Sequence, residues 1–152
     1  MERYLTLDLS NKEDALYFGN KFINDRPKWR KKIHDKQAEL QAARELPAIS
    51  NSEVHSGHIS KPTENAAFAT MKIEEQIKRY QDYETILTYG LDHIPEDEKL
   101  ILTKLHNTRG KFTNVIIDEL AIELDCDPRT IYRRKRQAIL DFVDAIREII
   151  NY

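Results

Sequence analysis

The sequence predicts an all-α protein with a C-terminal helix-turn-helix, a long helix before it and a small helical segment at the N-terminus. The 152 residues include only four glycines and five prolines, and 33% of them are charged. Apolar residues recur at helical spacing, and no segment alternates apolar and polar residues as a strand does. We therefore expect an N-terminal helical segment over residues 1–46, a polar linker over 47–62 and a helical domain over 63–152.

The N-terminal segment predicts two helices. Residues 11–24 form an amphipathic pattern, and Pro27 suits the first turn of a second helix that reaches Ala43. The candidate core residues of the first helix are Leu16, Tyr17, Phe18, Phe22 and Ile23. The basic run at residues 26–36, which contains Trp29, suggests either a second phosphate-binding surface or a solvated face whose tryptophan packs inward. The second interpretation is favoured because charge runs most often lie on the surface.

Residues 47–62 are rich in Ser, Pro, Gly, Asn and His and have no apolar period, which is typical of a linker. His55 and His58 lack further metal-ligating residues at suitable spacing, so no metal is expected. Thr63 is the expected N-cap of a long helix that ends near Ile94. The surface of this long helix that is not needed for the core could support a homodimer. The candidate core residues of this helix are Phe68, Met71, Ile73, Ile77, Tyr80, Tyr83, Ile86, Leu87 and Leu91.

Several classes of protein are excluded by what the sequence lacks. No apolar run is long enough to span a membrane, and the N-terminus has no signal-peptide core, so we expect a cytoplasmic protein with no membrane partner. The single cysteine, Cys126, excludes an internal disulfide. There is no glycine-rich phosphate loop, nucleophile motif or catalytic triad, so we expect neither an enzyme nor a cofactor.

The C-terminal part predicts three more helices. Pro95 precedes a helix over 96–106, residues 107–112 form a turn, and Thr113 or Asn114 caps a helix that ends at Leu124. The last helix runs from Pro128 to near Asn151.

The last two of these helices fit the helix-turn-helix pattern. Ala121 is the small residue that a close crossing needs, and Asp125 stands where glycine is common, because aspartate tolerates a left-handed backbone. Asp127 and Pro128 form a strong start signal for the second helix. The residues expected in the shared core are Ile117, Leu120, Leu124 and Ile131.

Charge is sharply divided at this point of the chain. The net charge is −2, yet residues 118–127 carry five acids and no base, and residues 129–136 carry five bases and no acid. At about 100° per residue, the last helix turns three arginines away from its apolar side. Such a face predicts contacts with double-stranded DNA through base edges and phosphates. We expect base contacts from Arg129, Arg133 and Arg136, flanking positions for Thr130, Tyr132 and Arg134, and phosphate contacts from Lys111, Asn114, Arg134 and Lys135.

Residues 95–146 resemble region 4 of the σ70 class, and residues 60–146 resemble phage-encoded regulators of the ArpU and RinA type. The matching residues are the linker leading to 61–67 (KPTENAA), the turn 110–113 (GKFT) and 127–135 (DPRTIYRRK) with Ala138. Where that family usually has serine as the cap, this chain has Asp127.

The resemblance implies a sequence-specific transcriptional activator of late phage genes for packaging and lysis, acting in a bacterial host cell. Two alternatives remain open: a small terminase subunit that recognises phage DNA for packaging, and a helical adaptor that docks on RNA polymerase.

Overall fold

The computed structural model describes the backbone of residues 7–53, 60–106 and 112–150, and the side chains of 7–45, 66–106 and 112–150. These residues form six α-helices and no strand, so the predicted all-α class is confirmed. The helices are α1 (Lys12–Asn24), α2 (Arg26–Glu53), α3 (Ser60–Asp92), α4 (Glu96–His106), α5 (Thr113–Glu123) and α6 (Pro128–Ile150).

Local signals account for several of the helix starts. Asn11 caps α1, because its side chain accepts a 2.9 Å hydrogen bond from the backbone N–H of Glu13. Three acids, Glu96, Asp97 and Glu98, occupy the first turn of α4, where the helix dipole favours negative charge. The predicted bounds of α4 are confirmed.

Two boundaries differ from the predictions. The helix-favouring run 37–46 carries α2 beyond Ala43 to Glu53. Helix α3 begins at Ser60, so Thr63 lies inside the helix and is not its N-cap. Consequently the described parts of the expected linker, 47–53 and 60–62, are helical, and its centre, 54–59, lies outside the described residues.

The chain divides into two compact units, and the division differs from the expected domain boundaries. One unit comprises the described parts of Met1–Asp25 and Thr85–Tyr152, and the other comprises those of Arg26–Glu84. Helix α1 therefore belongs with the C-terminal helices and not with α2. The reason is packing, because α1 contacts α6 directly.

The first unit has a core in which two glycines allow close helix approach. A Cβ atom at Gly19 of α1 would lie 2.6 Å from Ile139 Cγ2 and 2.8 Å from Val143 Cγ2 of α6. At Gly90 of α3 it would lie 2.5 Å from Phe142 Cε2. Glycine at these positions lets both helices approach α6 closely, and Gly90 does not break α3.

Among the candidate core residues of α1, Phe18, Phe22 and Ile23 are buried, whereas Leu16 is half-buried. The prediction for Tyr17 was wrong: 59% of this residue is exposed, because it lies about 100° around the helix from Phe18. In α3, Ile73, Ile77, Leu87 and Leu91 are buried, Tyr80, Tyr83 and Ile86 are half-buried, and Phe68 and Met71 are exposed.

In the second unit, Glu84 of α3 links this helix to α2. This carboxylate accepts hydrogen bonds from Arg26 (2.6 Å), Arg30 (2.6 Å) and the indole N–H of Trp29 (2.8 Å). Burial of Glu84 opposes its ionisation, but these three donors outweigh burial and lower its pKa to about 2. Trp29 is buried, its ring centroid lying 5.6 Å from that of Tyr83. The inward-packing interpretation of the basic run is therefore correct for Trp29.

Candidate nucleic-acid interface

Helices α5 and α6 share a small apolar core with α4. The buried residues of this core are Ile101, Leu105, Ile116, Ile117, Leu120, Ala121 and Ile131. Leu124 and Cys126 are half-buried and pack against it. The predicted inward positions in both helices are thus confirmed, with Leu124 only partly covered.

A short turn joins the two helices. The backbone N–H of Cys126 donates to the carbonyl of Ala121 (2.9 Å), and that of Leu124 donates to the carbonyl of Leu120 (2.9 Å). Asp125 has a φ of 52°, which makes it the one described non-glycine residue with a positive φ. The sequence prediction of a left-handed aspartate at this position is confirmed.

Asp127 caps α6 as the sequence predicts. Its Oδ1 accepts a 2.8 Å hydrogen bond from the backbone N–H of Arg129, and Pro128 is the first helical residue. The cap of α5 differs from the prediction, since the N-cap is Phe112, without a side-chain hydrogen bond. Thr113 and Asn114 are the first two residues of that helix.

The outer face of α6 carries three exposed arginines, Arg129, Arg133 and Arg136. Among the described residues, no carboxylate oxygen lies within 4 Å of any of their guanidinium groups. The opposite side of the same helix is fully buried at Ile131, Ala138, Phe142 and other positions. Within the described part of the chain, the helix therefore presents a row of cations without internal ion pairs, and its opposite side packs into the core.

Residues beside this row differ in how firmly the protein holds them. Tyr132 is 55% exposed, and Thr130 is half-buried. Arg134 Nη1 lies 3.5 Å from Asp97 Oδ2 of α4, so this guanidinium is already directed toward the protein. Lys135 is half-buried and near His106, whose pKa is lowered by burial and further by the Lys135 charge.

Of the other expected phosphate contacts, Asn114 is exposed at the start of α5, and Lys111 lies outside the described residues. Two neighbouring residues were missed by sequence reasoning. Phe112 is 80% exposed beside the start of α5, and Gln137 is exposed next to Arg133 on the helix surface. The sequence signal that could have indicated Phe112 as a site residue is a lone aromatic residue after the polar run 107–111.

A carboxyl pair, Glu98 of α4 and Asp141 of α6, lies where these two helices meet. Burial and, after it, the adjacent Asp141 carboxyl together raise the pKa of Glu98 to about 7. The Oε2 atom of Glu98 is buried without a hydrogen-bond partner among the described residues. Asp141 in turn accepts a 2.8 Å hydrogen bond from the side-chain amide of Gln137.

The outer face of α5 is acidic and apolar. Ile122 is 82% exposed, Val115 lies on the same side one heptad earlier, and Asp118 is exposed between them. Together with Asp125, Asp118 borders an open depression of about 690 Å³ whose floor includes Ala121, Cys126 and Pro128. Negative charge makes this face unsuitable for contact with a phosphate backbone.

Neither a protein-family model, nor a curated protein, nor a solved structure matches the chain significantly. Among the described residues, no helix combines the length and apolarity needed to cross a membrane. Within the same part of the chain, no three His, Cys, Asp or Glu side chains form a group that could hold a metal ion. His55 and His58 lie outside it.

Proposed function

We propose that the protein is a sequence-specific regulator of transcription that inserts the first turns of α6 into the major groove of double-stranded DNA. The observation that carries this proposal is the row of Arg129, Arg133 and Arg136, exposed and free of carboxylate partners in the described structure. An arginine fork can donate two hydrogen bonds to one base edge or grip a phosphate.

Rigidity of the supporting core favours the same proposal. Ile131, Ala138 and Phe142 are completely buried, and the Asp127 cap fixes the start of the helix. Base reading requires side chains on a well-positioned element, because a misplaced fork loses its paired hydrogen bonds. Arg134, Lys135 and Asn114 would contact phosphates beside the arginine row, and Lys111 is proposed for the same role from the sequence alone.

The resemblance of residues 60–146 to phage regulators extends the proposal to activation of late phage operons in a bacterial cell. Phe68 and Met71, exposed on α3, offer an apolar surface for a homodimer, which a two-fold symmetric operator would need. The terminase alternative predicts a ring, so a native mass of eight or more subunits would favour packaging over transcription.

A second candidate, a helical adaptor for RNA polymerase, is favoured by one observation. The α5 face presents exposed Ile122 beside Asp118, which suits a protein partner with apolar and basic side chains. The two functions differ in their salt dependence. A DNA-binding protein loses affinity with a slope of about 0.9 per phosphate contact in a plot of log K against log salt, whereas an adaptor shows a weak slope.

The proposal is tested by fluorescence anisotropy on a duplex enriched from a random pool. Arg133→Ala should weaken binding by about 1–3 kcal/mol, which is roughly a 5- to 150-fold rise in Kd. Arg79→Ala is the matched control, because Arg79 is also exposed but lies on α3. Equal binding by Arg133→Ala and the parent, or an equal loss in the control, would contradict the proposal.

A further inference from the structure

The geometry points to a more specific ligand for this surface: a run of about four base pairs that contains at least two guanines, read in the major groove by Arg129, Arg133 and Arg136. This inference rests on the proposed function, since it names the DNA sequence that the same face of α6 would recognise.

The chemistry of the base edges selects guanine. In the major groove, guanine presents two hydrogen-bond acceptors, O6 and N7, to one side chain. Adenine presents an acceptor and a donor, cytosine a donor, and thymine an acceptor beside a methyl group. Arginine has donors only, so its fork satisfies both positions on guanine and on no other base.

The remaining side chains on this face leave room for at most a few contacts with other bases. Adenine is read by Asn or Gln, and Gln137, which donates one N–H to Asp141 at 2.8 Å, keeps a second N–H and its carbonyl for one adenine beside the guanines. Cytosine is read by Asp or Glu, and the nearest exposed acid further along the same face is Asp144, two turns beyond Arg136. Tyr132 can add an apolar contact to a thymine methyl at the edge of the site.

The spacing of the arginines sets the length of the site. Arg129 and Arg136 are seven residues apart, which corresponds to about 10.5 Å along the helix axis. Base pairs are separated by about 3.4 Å, so the row spans about three steps, or four base pairs. Arg134, directed toward Asp97 at 3.5 Å, lies off this row and leaves the reading to the three free guanidinium groups.

Modified bases test the inference. The full chain is used to enrich duplexes from a random pool, and each guanine in the enriched core is then replaced by 7-deazaguanine, which lacks N7, or by inosine, which keeps O6 and N7. We expect at least two guanines at which 7-deazaguanine raises Kd by roughly 5- to 150-fold, while inosine changes it by less than about twofold. In Arg133→Ala, one of these positions should become insensitive to 7-deazaguanine.

The other possible outcomes contradict either the guanine assignment or the DNA-binding proposal. An enriched core without guanine, or one that tolerates 7-deazaguanine throughout, contradicts the guanine assignment and leaves the DNA-binding proposal intact. If inosine weakens binding whereas 7-deazaguanine does not, the readout is from the minor groove and the assignment is wrong. If no sequence is enriched over random DNA, the proposed function itself fails.

Discussion

Replacing Gly19 by alanine tests the packing of α1 against α6. The new Cβ would lie 2.6 Å from Ile139 Cγ2 and 2.8 Å from Val143 Cγ2, closer than real Cβ contacts. Both neighbouring atoms are on β-branched residues, whose χ1 angle is restricted, and both residues are buried. The helices must therefore move apart. Overpacking of this kind costs about 1–3 kcal/mol, and alanine returns up to about 1 kcal/mol of helix propensity.

The expected net effect of Gly19→Ala is a loss of about 1 kcal/mol in the free energy of unfolding, or a fall in Tm of about 2–4 °C. Thermal and urea unfolding followed by circular dichroism measure both quantities. Val143→Ala removes one of the two obstructing methyl groups, so the double variant should lose less than the sum of the single losses. An increase in stability for Gly19→Ala alone would refute the close approach of these helices.

Substitutions at three further positions test local features. Asp125→Val should lower the free energy of unfolding by about 1–2 kcal/mol, because valine resists the positive φ, whereas Asp125→Gly should not; equal losses would contradict this account of the turn. The pKa of Glu84 is lowered to about 2. The ionised carboxylate therefore stabilises the folded protein fully above about pH 4.5, and this stabilisation is lost as the pH falls toward 2. Glu84→Gln, followed by the fluorescence of the sole tryptophan, Trp29, should remove this acid sensitivity; an unchanged profile would argue against the cluster. The pKa of Glu98 is raised to about 7. Its contribution to the free energy of unfolding is therefore complete below about pH 4.5 and is lost as the pH rises through 7. Glu98→Gln should show a flatter decline of Tm between pH 5 and 8, and a decline as steep as the parent's would exclude this role.

Features that depend on neighbouring residues in sequence were predictable. The Asp127 cap, the left-handed Asp125 and the bounds of α4 all follow from local backbone chemistry. The outward row of arginines follows from helical periodicity, because Ile131 and Ala138 fix which side of α6 is buried.

Features that depend on distant contacts were not predictable. The residues around Gly19 give no local sign that α1 packs on α6. The expected N-terminal segment over residues 1–46 therefore did not assign α1 to the C-terminal helices. Glu84 lies 58 residues from Arg26, and no periodic pattern links them. Phe68 has helical spacing typical of a core residue, but a long helix can extend beyond its packing partners, and 62% of this residue is exposed.

An NMR titration of the ¹⁵N-labelled protein with its enriched duplex shows directly whether α6 contacts DNA. We expect the largest shifts of guanidinium Nε–H and backbone amide signals at Arg129, Arg133 and Arg136. The exposed lysines Lys31 and Lys32 of α2 should change little. Large shifts confined to α2, with the arginine signals of α6 unmoved, would contradict the claim that this helix reads DNA.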